Sequence, residues 1–83
     1  MPQDTPTAAD MLERAGRALY DGPDWQARLA IALGVGRSTI QHWRSGKIPF
    51  GREHGALRDL LALLRRRRGE MEDAERALDD WLK

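Results

Sequence analysis

Apolar residues recur at intervals of three and four along most of the chain, and no stretch of useful length alternates between apolar and polar residues. The first spacing gathers apolar side chains on one face of a helix, whereas strict alternation would predict a strand. Glycine and proline interrupt the helical pattern at residues 21–23, 34–36 and 45–51. The sequence therefore predicts an all-α domain of four to five helices without a sheet.

The length and composition exclude several classes of protein. A chain of 83 residues has room for one small domain. The absence of cysteine excludes disulfides and thiolate zinc sites, and two histidines are too few for a histidine-based metal site. The longest apolar runs, residues 29–33 and 60–64, are far shorter than the roughly 20 residues that span a bilayer. With no signal peptide, no phosphate loop and no nucleophile beside a base, we expect a cytoplasmic protein that is not an enzyme and needs no cofactor.

The charge is unevenly distributed although the net charge is only +1. Residues 24–55 carry a net charge of +3 and residues 56–68 carry +4, whereas residues 1–23 carry −2 and residues 69–83 carry −4. A basic centre between acidic ends is typical of a polyanion-binding surface on part of a small fold.

Local signals place the helix boundaries. The spacing of Thr7 and Asp10 predicts a capping box that opens the first helix, after a tail at residues 1–6 that is expected to be loose. The predicted helices span residues 8–20, 25–33 and 37–45, with a fourth that starts near Arg52 and ends in the basic run 65–68. Trp25 and Trp43 are expected in the core, and His54 is expected to have no particular role.

The C-terminal third of the chain has two interpretations. One heptad frame fits Leu57, Leu60, Leu64, Arg67, Met71, Ala74, Leu78 and Trp81, which would make one long coiled-coil helix. However, Gly69 costs about 1 kcal/mol in a helix interior, and Arg67 would lie between the apolar positions. We therefore favour a break near Gly69, with residues 69–83 as a separate helix.

Residues 26–45 form the most informative unit. Gly34 is predicted to adopt a positive φ between two helices, close to the small Ala30, while Ile40 and Trp43 anchor the second helix. This unit resembles the helix-turn-helix of the phage Cro and repressor family, in which a small residue, a glycine and an apolar residue six positions later hold the helix angle. The wider resemblance covers residues 8–68, and Gly36 departs from it because the family often has a serine or threonine N-cap there.

The resemblance implies a lambda-repressor-like DNA-binding domain at residues 7–68, whose second motif helix enters the major groove. It assigns base contacts to Arg37, Ser38, Gln41 and His42, and backbone contacts to Gln26, with Arg44 and Lys47 as further phosphate candidates. It also implies a homodimeric repressor that binds a palindromic operator in double-stranded DNA at the nucleoid. Such a repressor would control its own or a neighbouring operon, of phage, mobile-element or anti-CRISPR-associated type.

Alternative interpretations stay open. The chain could be an antitoxin that grips a toxin with its C-terminal helix, a protein–protein adaptor that no longer binds DNA, or a helix–glycine–helix unit that is plain structure. We expect an apolar stripe in the C-terminal segment to form a two-fold dimer interface, unless it folds back on its own domain. That stripe consists of Met71, Ala74, Leu78, Trp81 and Leu82.

Overall fold

The computed structural model describes residues 6–83, so the predicted tail lies outside the described residues except for Pro6. Four helices follow one another: α1 (Ala8–Leu19), α2 (Trp25–Leu33), α3 (Arg37–Ser45) and α4 (Gly55–Leu82). Residues 6–83 contain no strand. The predicted all-α class is confirmed, with four helices.

The start of α1 is fixed by the capping box that the sequence predicts. The Thr7 N–H donates to the Asp10 carboxylate, and the Asp10 N–H donates to the Thr7 hydroxyl oxygen, both at 3.0 Å. Two of the backbone donors that a helix start leaves without partners are thereby satisfied. The inner face of α1 then buries Leu12 and Gly16.

The core lies where α1, α2, α3 and the first turns of α4 meet. All four helices contribute to it, and both tryptophans predicted as core residues are buried. Leu19, Leu33 and Val35 pack around it while staying partly exposed. The buried apolar residues are Leu12, Trp25, Leu29, Ala30, Ile40, Trp43 and Leu60.

The C-terminal third forms one continuous helix, so the predicted break near Gly69 is wrong. Helix α4 runs for 28 residues through Gly69, where an added Cβ would meet no other atom within 4 Å. Two exposed ion pairs one helical turn apart in sequence span the glycine, Arg66–Glu70 at 3.8 Å and Arg68–Glu72 at 3.7 Å. No helix end separates residues 7–68 from residues 69–83.

Helix α4 also begins later than the sequence predicts, at Gly55 and not near Arg52. His54 is its N-cap, because its Nδ1 accepts a hydrogen bond of 3.1 Å from the Ala56 N–H. The expectation that His54 has no particular role is therefore wrong. Serine, threonine, aspartate and asparagine are the preferred caps, so a histidine at this position is not a usual signal for a helix start.

Only the first half of α4 packs against the other helices. Leu60 is its one buried residue among those described, and every residue from Glu70 to Lys83 is exposed. The fold-back alternative is therefore wrong, since Trp81 is 80% exposed and Leu82 69% exposed. A 28-residue helix is about 42 Å long, which explains the elongated dimensions of 52 × 32 × 24 Å. Within residues 6–83, no helix combines the length and apolar character needed to cross a membrane.

Candidate nucleic-acid interface

The turn between α2 and α3 is built on a left-handed glycine, as predicted. Gly34 has φ 71° and ψ 31°. The Val35 N–H donates to the Ala30 carbonyl at 2.9 Å, and the Gly34 N–H donates to the Ile31 carbonyl at 3.2 Å. These bonds satisfy carbonyl groups at the end of α2, and Gly36 then returns the chain to extended backbone before α3.

The residues predicted to hold α2 against α3 all lie in the core. Ala30 on α2 is buried, and so are Ile40 and Trp43 on α3. Val35, in the turn, packs against the same cluster. The inner face of α3 is therefore fixed by apolar contacts, and the orientation of its outer face follows from them.

Replacing Gly34 with valine is expected to lower the free energy of unfolding by more than about 1 kcal/mol. An L-residue in the left-handed region costs roughly 1–2 kcal/mol, and a β-branched one fits it worst. Gly51→Val is the matched control, because Gly51 has no positive φ and open space around its Cα. Thermal melts of both variants and the parent measure the difference. Equal midpoints for Gly34→Val and the parent would contradict the turn.

Helix α3 is tied to α1 and α2 by a network of charged and aromatic side chains. Arg44 donates to one Glu13 carboxylate oxygen at 2.7 Å, and Arg17 donates to the other at 2.9 Å. Both guanidinium groups lie over the Trp25 ring, at 5.2 and 5.3 Å from its centroid. The hydrogen bond from Arg44, followed by that from Arg17, lowers the pKa of Glu13. The network fixes the angle of α3 relative to the first two helices.

Arg44 therefore has a partner within the chain, which the sequence analysis missed. It was a candidate for a contact with the DNA backbone, but its side chain is only 26% exposed and points to Glu13. Glu13 lies 31 residues earlier in the sequence, so no local pattern links the two. Arg44 positions α3 through its contact with Glu13.

An aromatic cluster holds the loop after α3. The rings of Trp43, Phe50 and His54 lie 4.8 Å apart, measured between each pair of centroids. Gly46, with φ 82°, ends α3, and the Lys47 N–H donates to the His42 carbonyl at 3.0 Å. The backbone that carries Lys47 is thus set against the end of α3. Phe50 and His54 had no assigned role in the sequence analysis.

The outer face of α3 carries the residues predicted to contact bases. With 100° between successive residues, Ser38 and Gln41 point away from Ile40 and Trp43, and Arg37 lies at the flank of the first turn. Arg37, Ser38 and Gln41 are exposed, while His42 is half-buried. Of the remaining backbone candidates, Gln26 is half-buried in the first turn of α2 and Lys47 is exposed in the loop after α3.

Basic side chains predominate around the outer face of α3. Residues 25–52 contain no aspartate or glutamate. Arg28 is paired with Asp24 at 2.9 Å, and Arg44 is paired with Glu13. Among residues 6–83, no carboxylate lies within 4.0 Å of the charged groups of Arg37, Lys47 or Arg52. The outer face of α3 and its flanks therefore present three exposed cations, Arg37, Lys47 and Arg52, without an ion-pair partner among the described residues.

Comparison of the chain with protein-family models, with curated proteins and with solved structures gave no match. The function of the α3 surface is therefore inferred from its own geometry and charge. This surface combines a short helix packed on the core by Ile40 and Trp43, polar side chains on the outer face of that helix, and exposed cations beside it.

Proposed function

We propose that the chain binds double-stranded DNA in a sequence-specific manner, as a helix-turn-helix protein of the phage Cro and repressor type. The observation that carries the proposal is the division of α3 into two faces. Its inner face is locked into the core by Ile40 and Trp43. Its outer face presents arginine, serine and glutamine in a stretch without acidic residues. A helix about 10–12 Å across fits the major groove, which is about 12 Å wide.

The spacing of the outer residues suits the reading of neighbouring base pairs. Arg37 and Gln41 lie one helical turn apart, a distance of about 6 Å along the axis, which is close to two base steps. The guanidinium of Arg37 can donate to O6 and N7 of guanine, and the amide of Gln41 can pair with N6 and N7 of adenine. Ser38 lies between them and can contact either kind of base.

Positive and polar groups beside α3 supply contacts with the DNA backbone. Lys47 lies just after α3, and Arg52 lies further along the same loop. Gln26 opens α2 and is the remaining candidate for a backbone contact. His42, which is half-buried at the edge of the outer face, stays a candidate for a base contact. Contacts of this type fix the register of a protein on DNA without reading sequence. They also make binding weaken as salt concentration rises.

In the cell, such a protein would act as a homodimeric repressor at a palindromic operator of its own or a neighbouring operon. Two copies related by a two-fold axis present two α3 helices, which match two half-sites about one turn of DNA apart. Occupation of the operator would exclude RNA polymerase.

A second candidate function is supported by the exposed C-terminal half of α4. Trp81 and Leu82 are largely exposed there, and an exposed apolar stripe is typical of a protein-binding site. An antitoxin would bind its toxin through this exposed stripe on the C-terminal half of α4, and an adaptor would bind its protein partner in the same way. Co-expression with the product of the adjacent gene, followed by co-purification, distinguishes these functions from a repressor that acts alone.

Selection of bound sequences from a random DNA pool tests the proposal, followed by affinity measurements on the selected operator. Arg37→Ala and Gln41→Ala are each expected to weaken specific binding by about 1–3 kcal/mol, or roughly 5- to 150-fold. Lys47→Ala is expected to weaken all sequences alike and to reduce the salt dependence by about one counterion.

Arg76→Ala is the matched control for Arg37→Ala, because Arg76 is an exposed arginine on the distant half of α4. It should leave operator affinity unchanged, and all variants should keep the melting temperature of the parent. A pool without any enriched sequence at low salt would contradict the proposal. Unchanged affinity of the Arg37 and Gln41 variants would contradict the assigned surface.

A further inference from the structure

The second half of α4, residues 70–82 and hereafter the distal half, has an apolar face that its own chain leaves uncovered. Met71, Leu78, Trp81 and Leu82 are between 58% and 80% exposed. They recur at helical spacing, so they form one stripe along the helix. Stripes of this kind are normally covered by another element or by another molecule.

An apolar groove lies at the opposite end of the same helix. It runs between α1 and α4, and an exposed rim formed by Met11 and Leu61 borders it. Leu64 links it to a second groove beside Leu19 and Met71. The two grooves and the stripe follow one another along α4, and the second groove is also lined by the charged residues Arg67, Arg68, Glu72 and Glu75. The guanidinium of Arg67 is directed over the Tyr20 ring, 5.7 Å from its centroid.

The charges along α4 favour one orientation for a second copy. Residues 65–68 are four arginines, whereas residues 70–80 carry six carboxylates and a single arginine. Antiparallel pairing places the acidic half of each copy against the arginines of the other. Parallel pairing places Arg67 against Arg67 and Glu70 against Glu75 of the other copy, which is repulsive.

The heptad frame gives the register. The first position of the heptad is occupied by Leu57, Leu64, Met71 and Leu78, and the fourth position by Leu60, Arg67, Ala74 and Trp81. In an antiparallel pair, each residue at a first position faces a residue at a fourth position of the other helix. Met71 then faces Ala74 of the second copy, and Leu64 faces Trp81. In the same register Arg68 lies beside Glu75 of the second copy, and Leu61 lies beside Leu82. Trp81 and Leu82 would therefore enter the groove between α1 and α4.

We propose that two copies of the chain pair through α4 in an antiparallel arrangement, with Trp81 and Leu82 of each copy lying in the groove between α1 and α4 of the other. Trp81 and Leu82, at the end of the stripe, meet the apolar groove, and Met71 meets Ala74 of the other stripe, while Leu78 faces Arg67. The acidic distal half lies beside the arginine run of the other copy. This proposal rests on the homodimer of the proposed function and specifies how its two copies pair. It does not require that the dimer binds DNA.

Sedimentation equilibrium without DNA gives the dissociation constant of the dimer and tests the charge pairing. Arg68→Glu and Glu75→Arg are each expected to weaken dimerisation by about 3- to 30-fold, because each change affects two symmetry-related pairs. The double variant that carries both changes should restore the parent constant. In a parallel dimer Glu75→Arg would instead strengthen association, because it would remove the repulsion by Glu70.

Spin labels on single cysteines measure the orientation directly, since the natural chain has no cysteine. Labels at Lys83→Cys are expected about 30 Å apart or more in the antiparallel dimer, since each lies about 10 residues from the two-fold axis. Labels at Glu72→Cys should be much closer together. Short distances between the labels at both position 72 and position 83 would overturn the antiparallel arrangement.

Trp81→Ala should abolish most of the association, whereas the control Arg76→Ala, on the outward face of α4, should not. A parent chain that stays monomeric at tens of micromolar overturns the proposal. A dimer with the expected distances that fails to select any DNA sequence contradicts the proposed function and leaves the pairing intact.

Discussion

Replacing Ile40 with alanine is expected to lower the free energy of unfolding by about 2–5 kcal/mol. Ile40 is completely buried at the point where α3 meets the other helices. Truncation removes apolar contacts and leaves a cavity, because packed helices close such a space only in part. A domain of this size has about 5 kcal/mol of stability or little more. The variant is therefore expected to keep little of the stability of the parent and to unfold at a much lower temperature than the parent.

Ile31→Ala provides the matched control, since it makes the same chemical change on a neighbouring helix. Ile31 lies on α2 and is 81% exposed. Its replacement is expected to change stability by less than about 0.5 kcal/mol, and alanine favours the helix slightly. Urea unfolding, monitored by circular dichroism, measures the stability of both variants. Similar losses for the two variants would show that α3 does not pack on the core as described.

Replacing Gly16 with valine is expected to lower the free energy of unfolding by about 3 kcal/mol or more. A Cβ atom at Gly16 would lie 2.6 Å from two ring carbons of Trp25 and 3.0 Å from a methyl group of Leu29. The ring cannot retreat freely, because it is buried and its face is covered by Arg17 and Arg44. Valine adds two further carbon atoms to this clash, so α1 and α2 must move apart.

Gly69→Val is the control that shows whether replacing any glycine within a helix by valine destabilises the protein, or only one in close contact with another helix. Both glycines lie within helices, but nothing lies within 4 Å of a Cβ at Gly69. Valine is a slightly better helix former than glycine, so a small gain of a few tenths of a kcal/mol is expected. The stability of both variants is measured by urea unfolding, with tryptophan fluorescence as a second probe of the core, where Trp25 and Trp43 are buried. A Gly16→Val protein as stable as the parent would contradict the close approach of α1 and α2.

The parts of the fold that local signals determine were predictable from the sequence. The bounds of α2 and α3 agree with the prediction, because Pro23 precedes the first and the turn at Gly34 separates them. The capping box at Thr7 and Asp10 is present with both hydrogen bonds. Each of these features involves residues within a few positions of one another, so sequence spacing was sufficient.

Helix α4 was predicted less well, because its start at Gly55 and its continuation through Gly69 each depend on a balance of small energies. The penalty of about 1 kcal/mol for Gly69 is outweighed once the preceding turns are formed, since each further residue adds a hydrogen bond. The i,i+4 pairs across Gly69 add a few tenths each. At the other end, the cap at His54 depends on a ring nitrogen whose orientation is set by Trp43 and Phe50.

The candidate site was predictable only on its outer face. The positions of Ile40 and Trp43 determine by simple rotation that Ser38 and Gln41 point outwards, and both are exposed. The contacts that set the angle of α3 could not be foreseen, because Glu13 and Arg44 are distant in sequence. The close approach at Gly16 is of the same kind, since it brings together residues of two helices.

The two halves of α4 differ in how their backbone hydrogen bonds are maintained. Leu57 and Leu60 pack the first half into the core, so it serves as a permanent nucleus from which the distal half only has to propagate. Local unfolding can therefore start at Lys83 and proceed turn by turn without disturbing the core, and amide protection should decline steadily towards the C-terminus. If the distal half associates with a second copy, its protection becomes a function of protein concentration. Dilution would then melt the last turns of α4 first, while the surface of α3 keeps its shape.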